Sequence, residues 1–247
     1  MTYPHLSRAP IVEGLVDLQV KQREDFSLKD LSLLCERVKE RYPVRKDLTT
    51  FQAELRISPD NTPSQTIASE AIGYRLERPD ALFVVLARRD GFTVSRLKPY
   101  DDWENLITEA KPLWAHYLEV CKPQAITRVA TRYINRIELP IERLDFDDYL
   151  KAPPNIPKGL PEVISQFLTR LVLLENKSGA EIAFLQALEA PNLATNKISV
   201  LMDIDIYKLV DLPTSSEEVW KLLDTFRDLK NRTFFSSITR KTLELLK

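Results

Sequence analysis

The stretch Ala125-Ile-Thr-Arg-Val-Ala-Thr-Arg-Tyr-Ile-Asn-Arg-Ile-Glu-Leu-Pro140 is the most informative part of the sequence. It is rich in β-branched residues and polar positions recur along it, which is typical of a β-strand. Because successive side chains of a strand point to opposite faces, Arg128, Arg132 and Arg136 share one face and Tyr133 lies on the other. The stretch therefore predicts a sheet strand with a row of three guanidinium groups. These three residues are called the arginine row below.

The sequence on either side of this strand predicts an α+β fold, with mostly antiparallel sheets backed by long helices. Helices are predicted to begin near Ser27, Asp101 and Ser215, where capping residues precede apolar positions at helical spacing. Strands are predicted at residues 11–20, 50–57, 67–77, 82–97 with a hairpin turn before Gly91, 163–174, 181–188 and 198–209.

The order of the predicted elements recurs along the chain. Residues 1–123 and residues 124–247 each read as a strand, a helical or polar segment, several strands and a long helix. We therefore expect two similarly ordered α+β halves in one compact unit, with a sheet that continues from one half into the other. The recurrence concerns element order and is not accompanied by a residue-by-residue repeat.

Composition predicts a folded, nearly neutral protein. The chain has 247 residues, 44% of them hydrophobic, which is enough for a packed core. Its 35 basic and 36 acidic residues are evenly divided between the halves, so bulk charge does not favour nucleic acid as a partner. Cys35 and Cys121 lie in apolar helical patterns, which predicts buried thiols and a cytoplasmic location. No apolar run is long enough to cross a membrane, so we expect no membrane association.

Catalytic motifs are missing from the sequence. His5 and His116 stand in no recognised catalytic spacing, and neither a phosphate-binding glycine loop nor a zinc motif occurs. We therefore expect no catalytic residue and no cofactor, which favours a protein that is not an enzyme. The alternative is a metal-assisted phosphoryl-handling enzyme, in which Asp203 and Asp205 share one strand face and hold a divalent ion beside the arginine row.

The arginine row itself has two interpretations. Guanidinium groups bind carboxylate or phosphate through paired hydrogen bonds, so an exposed row predicts a site for an anionic small molecule or an acidic protein segment. If carboxylates on neighbouring strands pair with the arginines, the row is instead a structural ladder. The carboxylates considered for that ladder are Glu13, Asp17, Asp203 and Asp205.

A second basic cluster surrounds the predicted hairpin at Gly91. Two of its members, Arg96 and Lys98, join the arginine row as predicted ligand-binding residues. We expect recognition of an anionic ligand or acidic partner to be the main function. A homo-oligomer, or a structural role in a multiprotein assembly, is the third interpretation.

Five strings spread over the chain also carry a family resemblance. They are Ala9-Pro-Ile-Val-Glu13, Gly91-Phe-Thr-Val-Ser-Arg-Leu-Lys-Pro-Tyr100, Arg132-Tyr-Ile-Asn-Arg136, Leu201-Met-Asp-Ile-Asp205 and Lys230-Asn-Arg-Thr-Phe-Phe-Ser-Ser-Ile-Thr239. Together they resemble a sporadically distributed prokaryotic family of conserved, uncharacterised cytoplasmic proteins. The resemblance implies a single unit without a defined activity or cofactor, and its patchy distribution suggests an accessory role in antiviral defence. Gly14 departs from the family pattern, in which a small alanine-like residue is expected.

Overall fold

The computed structural model describes residues 3–57, 63–141, 144–192 and 194–247, with the backbone alone at 51–57 and 63–68. Within these residues the strands are β1 (Ile11–Lys21), β2 (Val44–Ile57), β3 (Pro63–Glu77), β4 (Phe83–Arg88), β5 (Gly91–Leu97), β6 (Ala125–Pro140), β7 (Leu168–Glu175), β8 (Ala180–Leu188) and β9 (Lys197–Leu212). The helices are α1 (Leu28–Val38), α2 (Trp103–Cys121), α3 (Glu218–Ser237) and α4 (Arg240–Leu245). The predicted α+β class is confirmed.

All nine strands belong to one antiparallel sheet, in the order β2-β3-β4-β5-β1-β6-β9-β8-β7. In each half of the chain the first strand pairs with the last, because β1 pairs with β5 and β6 pairs with β9. The halves meet where β1 and β6 pair side by side in the centre of the sheet. The sheet therefore continues from the first half of the chain into the second.

The three longer helices cover one face of the sheet. Phe92 contacts Trp114 and Tyr117 of α2, and Lys230 of α3 lies over the ring of Tyr133. Helix α1 packs on α2 and on β3. The core lies between these helices and the sheet, because the strand residues on this face are almost fully buried. The opposite sheet face is called the open face below.

Some element boundaries differ from the sequence prediction. Strand β7 begins at Leu168, five residues later than predicted, because Leu168 is the first residue with a ladder partner on β8. Helix α2 is continuous from Trp103 to Cys121 and includes Pro112. No helix among the described residues is long and apolar enough to span a lipid bilayer.

Candidate functional site

The arginine row lies on the open face of β6, with a carboxylate partner for every guanidinium group. The opposite side of the strand contributes Tyr133 and Asn135 to the core, as the alternation predicts. The side chains of Arg128, Arg132 and Arg136 are 17%, 44% and 52% exposed, so accessibility increases from the start of β6 towards its end.

Arg128 is the centre of a charged network that crosses four strands. It donates to Asp17 on β1 at 3.1 Å and to Asp205 on β9 at 2.9 Å. Arg88 on β4 donates to the second carboxylate oxygen of Asp17 at 2.8 Å. The ring of Tyr207 lies 4.6 Å from the Arg128 guanidinium carbon, and burial raises the pKa of Asp205. In this part of the open face the two arginines therefore pair with the two aspartates of the protein itself.

Arg132 and Arg136 each bind one carboxylate through two hydrogen bonds. Arg132 donates to both oxygens of Asp203, at 2.8 and 2.5 Å. Arg136 donates to both oxygens of Glu189, at 2.5 and 2.9 Å, a partner that the sequence did not suggest. These bonds raise the pKa of both arginines. The ladder interpretation therefore describes the observed contacts of the row, while ligand binding by these residues stays a prediction.

The two aspartates of the metal alternative are already engaged by arginines. Asp203 accepts from Arg132 and Asp205 accepts from Arg128, so a cation at this position would compete with both guanidinium groups. Among the described residues, no group of three or more histidine, cysteine, aspartate or glutamate side chains is arranged to hold a metal ion.

Arg96 lies apart from the other predicted binding residues. Its position in β5 directs it to the helix-covered face, where it is 5% exposed and donates to both carboxylate oxygens of Asp101, at 3.0 and 3.3 Å. Phe83 packs against its guanidinium group at 5.0 Å. Arg96 is therefore buried beneath Asp101, which is itself exposed at the surface.

Lys98 and Arg136 come together at a cavity of about 940 Å³ at the end of β6. The cavity is lined by residues 5–12, 98–101, 195–197 and 245–246, together with part of the end of β6. It receives residues from both halves of the chain, next to the central pair of strands β1 and β6. We call it the cationic cleft because four of its lining side chains are Arg8, Lys98, Arg136 and Lys197.

Backbone hydrogen bonds of the same residues fix the walls of the cationic cleft. The amide of Arg136 donates to Pro10 at 2.8 Å, and the amide of Lys98 donates to Val12 at 3.0 Å. The amide of Arg8 donates to Leu246 at 3.1 Å. The N-terminal segment is therefore held between β5, β6 and the C-terminal residues. Its basic residue, Arg8, lines the same cavity as Lys98, Arg136 and Lys197.

Two of the four cations in the cationic cleft make no direct ion pair in the described part of the chain, and the charge of Lys98 contributes, after that of Lys197, to lowering the pKa of Glu138. Lys197 pairs with Glu138 at 2.8 Å, and Arg136 pairs with Glu189. The exposed side chains of Arg8 and Lys98 make neither an ion pair nor a hydrogen bond within that part. Asp101, the remaining carboxylate of the lining, is held by Arg96. The cationic cleft thus contains two accessible cations that no described carboxylate contacts directly.

The wall of the cationic cleft also connects to a buried polar cluster. Tyr100 lines the cavity, and its hydroxyl lies 2.8 Å from that of Tyr133. The Lys230 Nζ lies 4.0 Å from the centre of the Tyr133 ring and donates to Asn231 at 2.7 Å. No described carboxylate pairs with Lys230, and burial lowers the pKa of its amine to about 7.

Sequence reasoning found only part of the cationic cleft. Lys98 and Arg136 were among the predicted binding residues, but Arg8 and Lys197 were not. Arg8 lies outside every predicted element and Lys197 lies one residue before the predicted strand 198–209, and each reaches the cavity from a separate segment of the chain. No family model matches the chain, and no curated protein matches it.

Proposed function

We propose that this protein is a non-enzymatic binding module that holds a small organic anion in the cationic cleft. The observation that carries the proposal is the pair of accessible cations, Arg8 and Lys98, neither of which makes a direct ion pair with a carboxylate among the described residues. A phosphate or carboxylate group would supply that missing partner. Arg136 and Lys197 extend the same positive surface.

The lining also favours an anion with an apolar body. The volume of about 940 Å³ is in the upper range for pockets that bind compact organic ligands. Apolar lining residues lie beside the cations, and they include Leu6, Pro10, Pro99, Tyr100 and Leu246. A ligand that combines a phosphate or carboxylate with an aromatic or aliphatic part would satisfy both kinds of surface.

Isothermal titration calorimetry with citrate, pyrophosphate and AMP, at low and at raised salt, tests this proposal. We expect at least one of these anions to bind to the purified protein, with weaker binding at the higher salt concentration. The double variant Arg8→Ala/Lys98→Ala should lose at least about tenfold in affinity, which corresponds to roughly 1.4 kcal/mol.

Arg89→Ala is the matched control, because Arg89 is an exposed arginine that does not line the cationic cleft. Its affinity for the same anion should equal that of the wild type. Binding that is unchanged in Arg8→Ala/Lys98→Ala, or an equal loss in Arg89→Ala, would contradict the assignment. So would a protein that binds none of the anions.

We also propose a cytoplasmic location, which is supported by the two buried cysteines, Cys35 and Cys121, both of which are free thiols. The accessory role in antiviral defence stays a prediction. Recognition along the whole arginine row is less well supported than recognition in the cationic cleft, because Arg128 and Arg132 would have to leave their carboxylates. A structural role in an assembly is favoured by a separate observation at strand β7, described next.

A further inference from the structure

Strand β7 and the segment before it carry most of the exposed apolar surface of the described chain. Among the residues whose side chains are described, eleven large hydrophobic ones are exposed, and seven of these lie between residues 160 and 174. They are Leu160 56%, Val163 88%, Leu168 69%, Leu171 46%, Val172 44%, Leu173 49% and Leu174 68% exposed. Apolar side chains on both faces are typical of a strand whose faces are covered, yet those of β7 are exposed and β7 is an edge strand.

The backbone of β7 is also unpaired on its outer side. The carbonyl groups of Phe167 and Glu175 accept from Leu188 and Gly179, so the odd-numbered residues direct their polar backbone groups towards β8. The even-numbered residues therefore direct theirs away from the sheet. Leu168, Arg170, Val172 and Leu174 present a row of donors and acceptors that only another extended chain can pair in full.

The opposite edge of the sheet is protected in the usual way. Near its beginning, strand β2 has three consecutive exposed charged residues, Arg45, Lys46 and Asp47. Such charges discourage strand addition. Strand β7 contains one basic residue, Arg170, and no proline. Among the residues whose side chains are described, β7 is thus the edge strand with the larger apolar surface, which makes it the candidate for pairing with another strand.

We propose that this partner is β7 of a second copy of the chain, paired antiparallel about a two-fold axis. With the axis at Val172, Leu171 faces Leu173 of the second copy, and Arg170 faces its Leu174. The Leu171–Leu173 pairs on one face and the two Val172 residues on the other bring apolar side chains together, and no like charges stand opposite each other. Residues 160–175 are fewer than the roughly 20–30 residues per side of a standard interface, so we expect a dimer of micromolar affinity.

Sedimentation equilibrium over a range of protein concentrations tests the dimer. The wild type should change from a mass of 28.5 kDa to twice that value as concentration rises through the micromolar range. Val172→Lys places two ammonium groups opposite each other at the axis, and Val172→Pro removes an outward N–H without breaking the ladder to β8. Both variants should stay monomeric up to at least tenfold higher concentration.

Val44→Lys is the matched control, since Val44 is an exposed valine, 40% accessible, on the opposite edge strand. It should dimerise as the wild type does. A second readout needs no variant, because hydrogen exchange at the amides of Val172 and Leu174 should slow as the concentration of the wild type rises.

Three results would overturn the proposal. The first is a wild type that remains monomeric with concentration-independent exchange in β7. The second is a dimer that survives both Val172→Lys and Val172→Pro. The third is a monomer that co-purifies with a different polypeptide, which is lost in Val172→Lys, because this would assign the edge to a strand of another protein.

Discussion

Lys230 is the residue whose environment is hardest to foresee from the sequence. Lys230 lies in an amphipathic helical segment. In the structure its amine lies over the ring of Tyr133 and has no carboxylate partner among the described residues. Burial lowers its pKa from the ordinary value of 10.5 to about 7. A lysine with this environment favours the neutral amine in the folded protein.

This shift predicts how stability depends on pH. Between pH 7 and pH 10.5 the unfolded chain binds the Lys230 proton more strongly than the folded chain, so the free energy of unfolding should rise with pH. One such group contributes at most about 1.4 kcal/mol per pH unit. Urea unfolding at pH 7 and pH 9 should show this increase in the wild type and a smaller one in Lys230→Met. Lys221→Met, at an exposed position of the same helix, is the control.

Gly14 shows a second effect at the residue scale. A Cβ atom at this position would lie 2.7 Å from the ring of Tyr100 and 2.8 Å from that of Tyr133. The alanine-like residue that the resemblance implies would therefore force the two rings to move. The sequence around Gly14 contains no sign of this, because both rings come from distant segments.

At the scale of the element, β6 was the part of the fold that the sequence described best. Its bounds, its strand type and the separation of the arginines from Tyr133 all followed from alternation. The ladder carboxylates Asp17, Asp203 and Asp205 were foreseen because they also alternate on strands. Glu189 was missed, since it lies beyond β8, and its approach to Arg136 depends on how the chain turns there.

The different exposure along β6 predicts different roles for its arginines in stability. Arg128→Ala would leave the largely buried Asp205 without its ion-pair partner, whereas Asp17 would keep Arg88. We expect a loss of about 2 kcal/mol in the free energy of unfolding. Arg132→Ala removes a more exposed guanidinium group and should cost less than about 1 kcal/mol. Urea unfolding of both variants beside Arg89→Ala checks this order, and equal losses would show that burial does not govern the row.

At the scale of the whole molecule, the sequence predicted the class and the order of elements but not how the parts meet. The recurrence of strands and helices indicated two similar halves joined in one sheet. The cationic cleft could not be foreseen in the same way, because Arg8 and Lys197 reach it from segments that are far apart in the sequence. Local patterns determine strands and helices, whereas a cavity built from five segments depends on tertiary packing.

The shared sheet predicts that neither half folds well alone. Residues 1–123 would expose the edge of β1, and residues 124–247 would expose the edge of β6, including their buried apolar residues. Expressed separately, both halves should aggregate. Expressed together, they should recover a complex with the mass of the intact chain, 28.5 kDa, in size-exclusion chromatography with light scattering. A stable monomer of either half would show an independent domain.

The position of β1 in the middle of the sheet has a consequence for synthesis on the ribosome. β1 is the first strand to be made, but both of its neighbours come much later, with β6 ending more than a hundred residues downstream. At about 5–20 residues per second, the nascent chain waits roughly 5–20 s before that neighbour emerges. During this interval the apolar side of the first strand is available to a chaperone.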